Sequence, residues 1–233
     1  MEQYFKNAGQ LQRFGPRYVV FLLFLASAFS FVDRQILSIL FEPIKAEFDL
    51  SDTQLGFLGG IAFALTYSIM GVPLAMLADR RGRKGIITAS LAVFSIMTAF
   101  CGAAGSFATL TLARIGVGIG EAGVNPSSSS MIADLFPKEK RSTPMAIIAA
   151  GAPLGMLTGL IGGSLVAATW GWRMAFLAVG LPGVILAIIF WLTVREPERG
   201  SSDNRESSMR DAPSLIVTFR YMWHTKTLRY LVL

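Results

Sequence analysis

"VVFLLFLASAFSFVDRQILSILF" (residues 19–41) decides how this chain is read. It is an apolar run of 23 residues broken by one adjacent acid and base, Asp33 and Arg34. A helix needs about 20 mainly apolar residues to cross a bilayer. The run is therefore long enough to span, and it is too long for the apolar core of a cleavable signal peptide. Five further apolar runs follow, at 56–77, 85–104, 110–132, 145–167 and 174–194. Composition agrees: 53% of residues are hydrophobic and only 15% are charged, where a soluble domain has about 25%. Mean hydropathy is +0.54. These features predict an all-α membrane protein with six transmembrane helices.

The cations sort to one side of that arrangement. Of 21 Lys and Arg, 17 fall in the segment before the first run, the loops after the second and fourth, and the segment after the sixth. Only Lys45 and Arg173 fall in the opposite loops, and Arg34 and Arg114 lie within runs. Positive loops mark the cytoplasmic face, so both ends of the chain are expected inside, with the protein in a cell (inner) membrane. A large soluble helical protein would not sort its charge in this way. The expected organisation is a cytoplasmic N-terminus over 1–17, a six-helix bundle over 18–195, a linker over 196–225, and the start of a truncated seventh helix over 226–233. The linker begins "EPERGSSDNRESSMRDAPS" (residues 196–214) and is polar, charged and without aromatics, a composition that cannot bury a core.

Four ionisable residues sit inside the runs: Asp33, Arg34, Arg114 and Glu121. Each costs about 2.5–3.5 kcal/mol at a helix centre and so needs a partner or a watery cavity. Glu121 marks the middle of its run, and Asp33 lies about 4.5 Å outward of the middle of its own. Arg114 precedes Glu121 by seven residues, about two turns, which puts both on one face. The four are expected to line one polar cavity, as a structural salt-bridge cluster or as a proton or substrate site. Burial in low dielectric disfavours a charged carboxylate and a nearby arginine favours it, so an acid between the two is suited to exchanging a proton.

The glycine patterns separate by context. "GIGEAG" (residues 118–123) fits the dinucleotide fingerprint but lacks the strand and βαβ unit that the chemistry needs; helix packing explains it better. Gly151, Gly155, Gly159 and Gly163 recur every four residues, which places them along one helix face as a packing stripe. Pro126 and Pro153 are candidate kinks. "SSSS" (residues 127–130) offers hydroxyls to a cavity or to its own helix. "WGWR" (residues 170–173) reads as an interfacial anchor. The chain has one cysteine and one histidine, so no disulfide, metal site or cofactor is expected. No nucleotide loop, metalloprotease motif or nucleophile elbow occurs, and neither an enzyme nor a nucleic-acid binder is expected.

"AMLADRRGRK" (residues 75–84) resembles the cytoplasmic signature of the major facilitator superfamily, roughly G-x-L-A-D-R-x-G-R-[KR], with Ala75 at the leading glycine. "RIGVGIGEAG" (114–123), "GWRMAF" (171–176) and "REPERG" (195–200) are similar to other motifs of that superfamily. "FVDRQILSIL" (31–40) and "IKAEFDLSDTQLGFLGGIAFALTYSIMGVPLAMLADR" (44–80) resemble its spinster-like branch. The resemblance implies the N-terminal half of a twelve-helix, major-facilitator-type fold, with a C-terminal six-helix half expected but absent here. It implies secondary active transport by alternating access, with Asp33 and Glu121 as proton-responsive acids and Arg34 and Arg114 as their partners. Asp79, Arg80, Gly82 and Arg83 would form a cytoplasmic gate. Animal relatives of that branch are associated with sphingolipid and lysolipid export, so the implied cargo is an amphipathic or lipid-like organic solute moved with protons. The alternatives are a transporter of organic acids or drugs, and a membrane fragment that does not transport without its other half.

Overall fold

The structure is a computed structural model and describes residues 14–198. The linker and seventh-helix expectations, and most of the N-terminal segment, lie outside the described residues. Helix α1 (Pro16–Ile39) opens on Pro16, a residue whose missing N–H costs nothing in a first turn. The expected first span ran on to Phe41, but the helix stops at Leu40, where φ is −90° and ψ 3°. Pro43 accounts for the stop: its ring would strike the carbonyl four residues back, at Ile39. A short helix, α2 (Phe41–Phe48), starts there instead and ends at Asp49 in the left-handed conformation.

The second span, α3, covers Asp52–Arg81. A capping box between Ser51 and Gln54 starts it, and it contains one π-helical turn at Phe57–Ile61. Gly82, with φ 106°, separates it from α4 (Arg83–Gly102). The fourth span is two helices, α5 (Phe107–Glu121) and α6 (Val124–Leu135). Pro126 again explains the break, because it has no N–H for the carbonyl of Ala122. The final helix, α7 (Ser142–Thr193), holds the fifth and sixth spans. It keeps helical dihedrals through Pro153 and Pro182 and turns at Gly171, with φ 82° and ψ 165°.

Two apolar clusters hold the bundle. One, around Val19, Leu23, Leu91, Met131 and Phe190, lies toward the end carrying the Arg80–Lys84 loop, hereafter the basic end. The other, around Ile36, Leu40, Leu58, Leu110 and Phe176, lies toward the opposite end. Along the chain, Asp33 and Arg34 of α1 and Arg114 of α5 fall between them, and Glu121 lies just inside the first. The glycine stripe of α7 packs on α1. A Cβ on Gly151 would lie 2.7 Å from the Phe24 carbonyl oxygen, and one on Gly159 would lie 3.1 Å from that of Val32. Gly155 meets the Ala28 carbonyl in the same way, and Gly163 meets the side chain of Ile36, with a Cβ there 3.1 Å from Cγ1. The "GIGEAG" glycines serve close approach too: a Cβ on Gly120 would lie 2.5 Å from the Phe94 nitrogen of α4.

Candidate functional site: a buried charge layer

Asp33, Arg34, Arg114 and Glu121 come together between α1 and α5 as two crossed ion pairs. Arg114 Nη1 donates to Asp33 Oδ2 at 2.7 Å. Arg34 Nε donates to Glu121 Oε2 at 2.8 Å, and its Nη2 lies 2.7 Å from the same oxygen. The neighbours in sequence, Asp33 and Arg34, thus pair with different residues of α5. A helix rotates about 100° per residue, so the two side chains leave α1 in different directions and each meets one of the two charges of α5.

The pairs differ in access. The side chains of Asp33 and Arg114 are 0% and 1% exposed, whereas Arg34 is 31% exposed and Glu121 0%. Two residues that the sequence did not single out complete the sealed pair. Thr98 of α4 places its hydroxyl 2.6 Å from Asp33 Oδ1 and 2.8 Å from the Phe94 carbonyl oxygen. A hydroxyl has one proton, so Thr98 serves one of these acceptors at a time. Phe63 of α3 lies between the guanidinium groups, 4.8 Å from that of Arg34 and 5.5 Å from that of Arg114. Phe31 and Tyr67 also face Arg34, each at 5.0 Å, so cation–π attraction compensates part of its lost hydration. A threonine and a phenylalanine carry no charge to mark them in an apolar run, which is why only the structure identifies them.

The predicted gate residues divide. Arg83 is buried; its Nε donates to Ser130 at 2.8 Å and its Nη1 pairs with Asp134. Asp79 and Arg80 are exposed and make no ion pair among the described residues. Gly82 supplies the positive φ of the turn, and its α-carbon faces the Glu196 carboxylate. Glu196 accepts from the backbone N–H groups of Arg83 and Lys84 at 2.8 and 2.7 Å, satisfying two orphan donors at the start of α4. Asp134 and Glu196 were missed because one lies just past the apolar run and the other at the start of the polar segment. Of the four serines, Ser130 meets Arg83 and Ser128 bonds the Val124 carbonyl of its own helix.

The opposite end carries its own cluster. Glu47 Oε2 accepts from Trp172 Nε1 at 2.7 Å and from Arg173 Nη1 at 2.5 Å, and Arg173 Nη2 reaches the Ala104 carbonyl at 3.1 Å. The hydrogen bonds from Arg173 and Trp172 hold the Glu47 carboxyl below the usual carboxylate range. The two tryptophans expected as one anchor therefore separate: Trp170 is 69% exposed and Trp172 is buried.

Known proteins resemble this chain in sequence and in fold. The chain is 39% identical over 185 residues to an MFS-type efflux pump of Mycolicibacterium smegmatis, covering 78% of this chain and 43% of that one. It is 33% identical over 177 residues to a probable L-galactonate transporter of Escherichia coli, covering 76% and 39%. It is similar to a solved bacterial homolog of the human lysosomal transporter spinster, in an inward-facing and occupied conformation. The TM-score there is 0.75 at 38% identity, over 82% of this chain and 46% of that one. The chain spans less than half the length of these relatives. Such homologues are multi-pass integral membrane proteins and transporters, not enzymes. The model of the Major Facilitator Superfamily matches residues 23–233, and with this match, these relatives and this six-span bundle, the chain belongs to that superfamily.

Proposed function

We propose that this bundle is one half of a secondary active transporter that moves an amphipathic organic solute by proton-coupled alternating access. The observation that carries the reading is the pair of ion bridges, Asp33–Arg114 and Arg34–Glu121, buried between two helices in the middle of a membrane-spanning bundle. Intramembrane charges are costly and are retained where a cavity or an ion path uses them. Protonation of either acid removes the partner of an arginine. That arginine then favours an anionic group, and Arg34, with its part-exposed side chain, is the one that a solute reaches. In this reading Asp33 and Glu121 take the coupling proton and Arg34 and Arg114 set their charge state. The gate at the basic end comprises Asp79, Arg80, Gly82 and Arg83. The charge sorting of the loops supports a cytoplasmic basic end in an inner membrane. The second six-helix half supplies the other wall of the cavity.

A second reading, an organic acid as cargo, is favoured by the relative that is a probable L-galactonate transporter and by the access to Arg34. Both readings meet one experiment. The full-length transporter is placed in proteoliposomes under an imposed pH gradient and challenged with a lysophospholipid and with L-galactonate. Glu121→Gln and Asp33→Asn are each expected to abolish proton-driven flux of whichever solute moves. Unchanged proton-driven flux in both variants would refute the coupling role.

A further inference from the structure

The π-helical turn Phe57–Ile61 is the one irregular turn inside α3. Such turns insert a residue into a helix and occur often at functional sites. Here the turn faces α2. The ring of Phe41 occupies the space where a side chain at Gly59 would stand: a Cβ there would lie 2.5 Å from Cζ and 3.3 Å from Cε1 of that ring. Gly56 and Gly60 flank this position, and a Cβ on either meets nothing within 4 Å. The three glycines, with Leu37, Ser38 and Phe41, wall a recess of about 210 Å³ that Arg34 also lines. Phe41 directly follows the backbone break at Leu40, so its ring can swing without unwinding α1.

From these contacts we infer that Phe41 is a gate over a passage from the end opposite the basic loops to the Arg34–Glu121 pair, and that Gly59 is its seat. The missing side chain at Gly59 lets the ring close against α3. The open glycines on either side keep the passage wide once the ring leaves. A larger residue at the seat would hold the ring out, whereas one at Gly60 would leave it in place. The inference rests on the transporter reading only for what passes; the passage itself is independent of it.

The test reads thiol access and not flux. In the full-length transporter, cysteine-free and embedded in membranes, Leu37→Cys places a reporter in the wall of the recess, where Leu37 is 2% exposed. The probe is the impermeant sulfonatoethyl methanethiosulfonate, added at the face opposite the basic loops. Phe41→Ala is expected to raise the labelling rate about tenfold, the response to losing ~1.4 kcal/mol of closing free energy. Gly59→Ala should raise it as well, and Gly60→Ala should leave it unchanged. Phe41→Leu keeps apolar packing and should fall between, which covers a failure of Phe41→Ala to fold. Equal rates in the parent, Phe41→Leu and Gly59→Ala would overturn the gate, as would a Gly60→Ala effect as large as that of Gly59→Ala. Absence of proton-driven flux in the parent would sink the transport reading and leave the labelling result standing.

Discussion

Asp33→Asn and Glu121→Gln make the same chemical change, a carboxylate to its amide, yet the structure predicts unequal costs. Removing the charge of Asp33 strands Arg114, whose side chain is 1% exposed. Breaking a buried pair from one side costs about 3–5 kcal/mol, because a charge is left in low dielectric without a counter-ion. Removing the charge of Glu121 strands Arg34, whose side chain is 31% exposed and faces the rings of Phe31, Phe63 and Tyr67. Water reaches that guanidinium, and each ring contributes about 0.5–1 kcal/mol of cation–π attraction. The expected cost of Glu121→Gln is therefore about 1–2 kcal/mol, near the ordinary range for a single substitution. A further consequence concerns the double variant. Asp33→Asn with Arg114→Gln removes both charges of the sealed pair and should recover part of the loss, since no charge is then left in low dielectric without a counter-ion. Denaturant titration of the full-length protein in detergent, read by tryptophan fluorescence, measures the parent and all three variants. Equal destabilisation by the two single variants would refute the reasoning, and so would a double variant no better than Asp33→Asn.

Four other outcomes are expected. Asp79→Asn removes an exposed charge without an ion pair among the described residues, so the melting temperature should hold while distances across the basic end of the full-length protein shift their populations; spin-label distance measurement checks this. Glu196→Gln weakens the cap on the Arg83 and Lys84 N–H groups and should cost about 1 kcal/mol, with faster hydrogen exchange in the first turn of α4. The Glu47 carboxyl is held below its ordinary value of 4.5 by the hydrogen bonds from Arg173 and Trp172. Its contribution is therefore complete above that value and lost as pH falls through the lowered one; melting in acid should separate the parent from Glu47→Gln above 4.5 and bring them together well below it. Gly155→Ala drives a methyl to within 3.0 Å of the Ala28 backbone carbon, which cannot yield, whereas Gly162→Ala meets nothing within 4 Å. The first should cost about 1–3 kcal/mol and the second should be silent in the same denaturant titration.

The spans were legible because a bilayer imposes a length and a charge rule on sequence. The glycine stripe was legible because a spacing of four fixes a helix face. Pairing was not. Opposite charge leaves one matching between the helices, Asp33 with Arg114 and Arg34 with Glu121, but whether these charges meet at all depends on how α1 and α5 are rotated about their axes, which apolar packing of whole helices sets. The helix ends were misjudged at Phe41 for a related reason. An apolar run continues through a break, and only the geometry of Pro43 against Ile39 ends the helix. Thr98 was invisible because a hydroxyl can bond its own helix, as Thr98 also does at Phe94, and its second acceptor comes from a distant part of the chain.

The charges of the bundle divide by what holds them. At the basic end, Arg83, Ser130, Asp134 and Glu196 tie α4 to α6 and to the segment after α7. At the other end, Glu47, Trp172, Arg173 and the Ala104 carbonyl tie α2, α7 and the turn after α4. Between these clamps the glycine stripe brings α7 against α1 at backbone distance. A body fastened at both ends and along one seam resists internal shear, because packed interfaces hold discrete arrangements and do not deform continuously. In the transport cycle proposed above, opening of the polar layer therefore comes from displacement of the whole bundle, or from single side chains at its edge. Arg34 and Phe41 are such side chains: each is only partly buried, and both line the recess beside the π turn. In that proposed cycle the sealed Asp33–Arg114 pair moves with the bundle, and the more exposed Arg34–Glu121 pair beside it is the one placed to respond first.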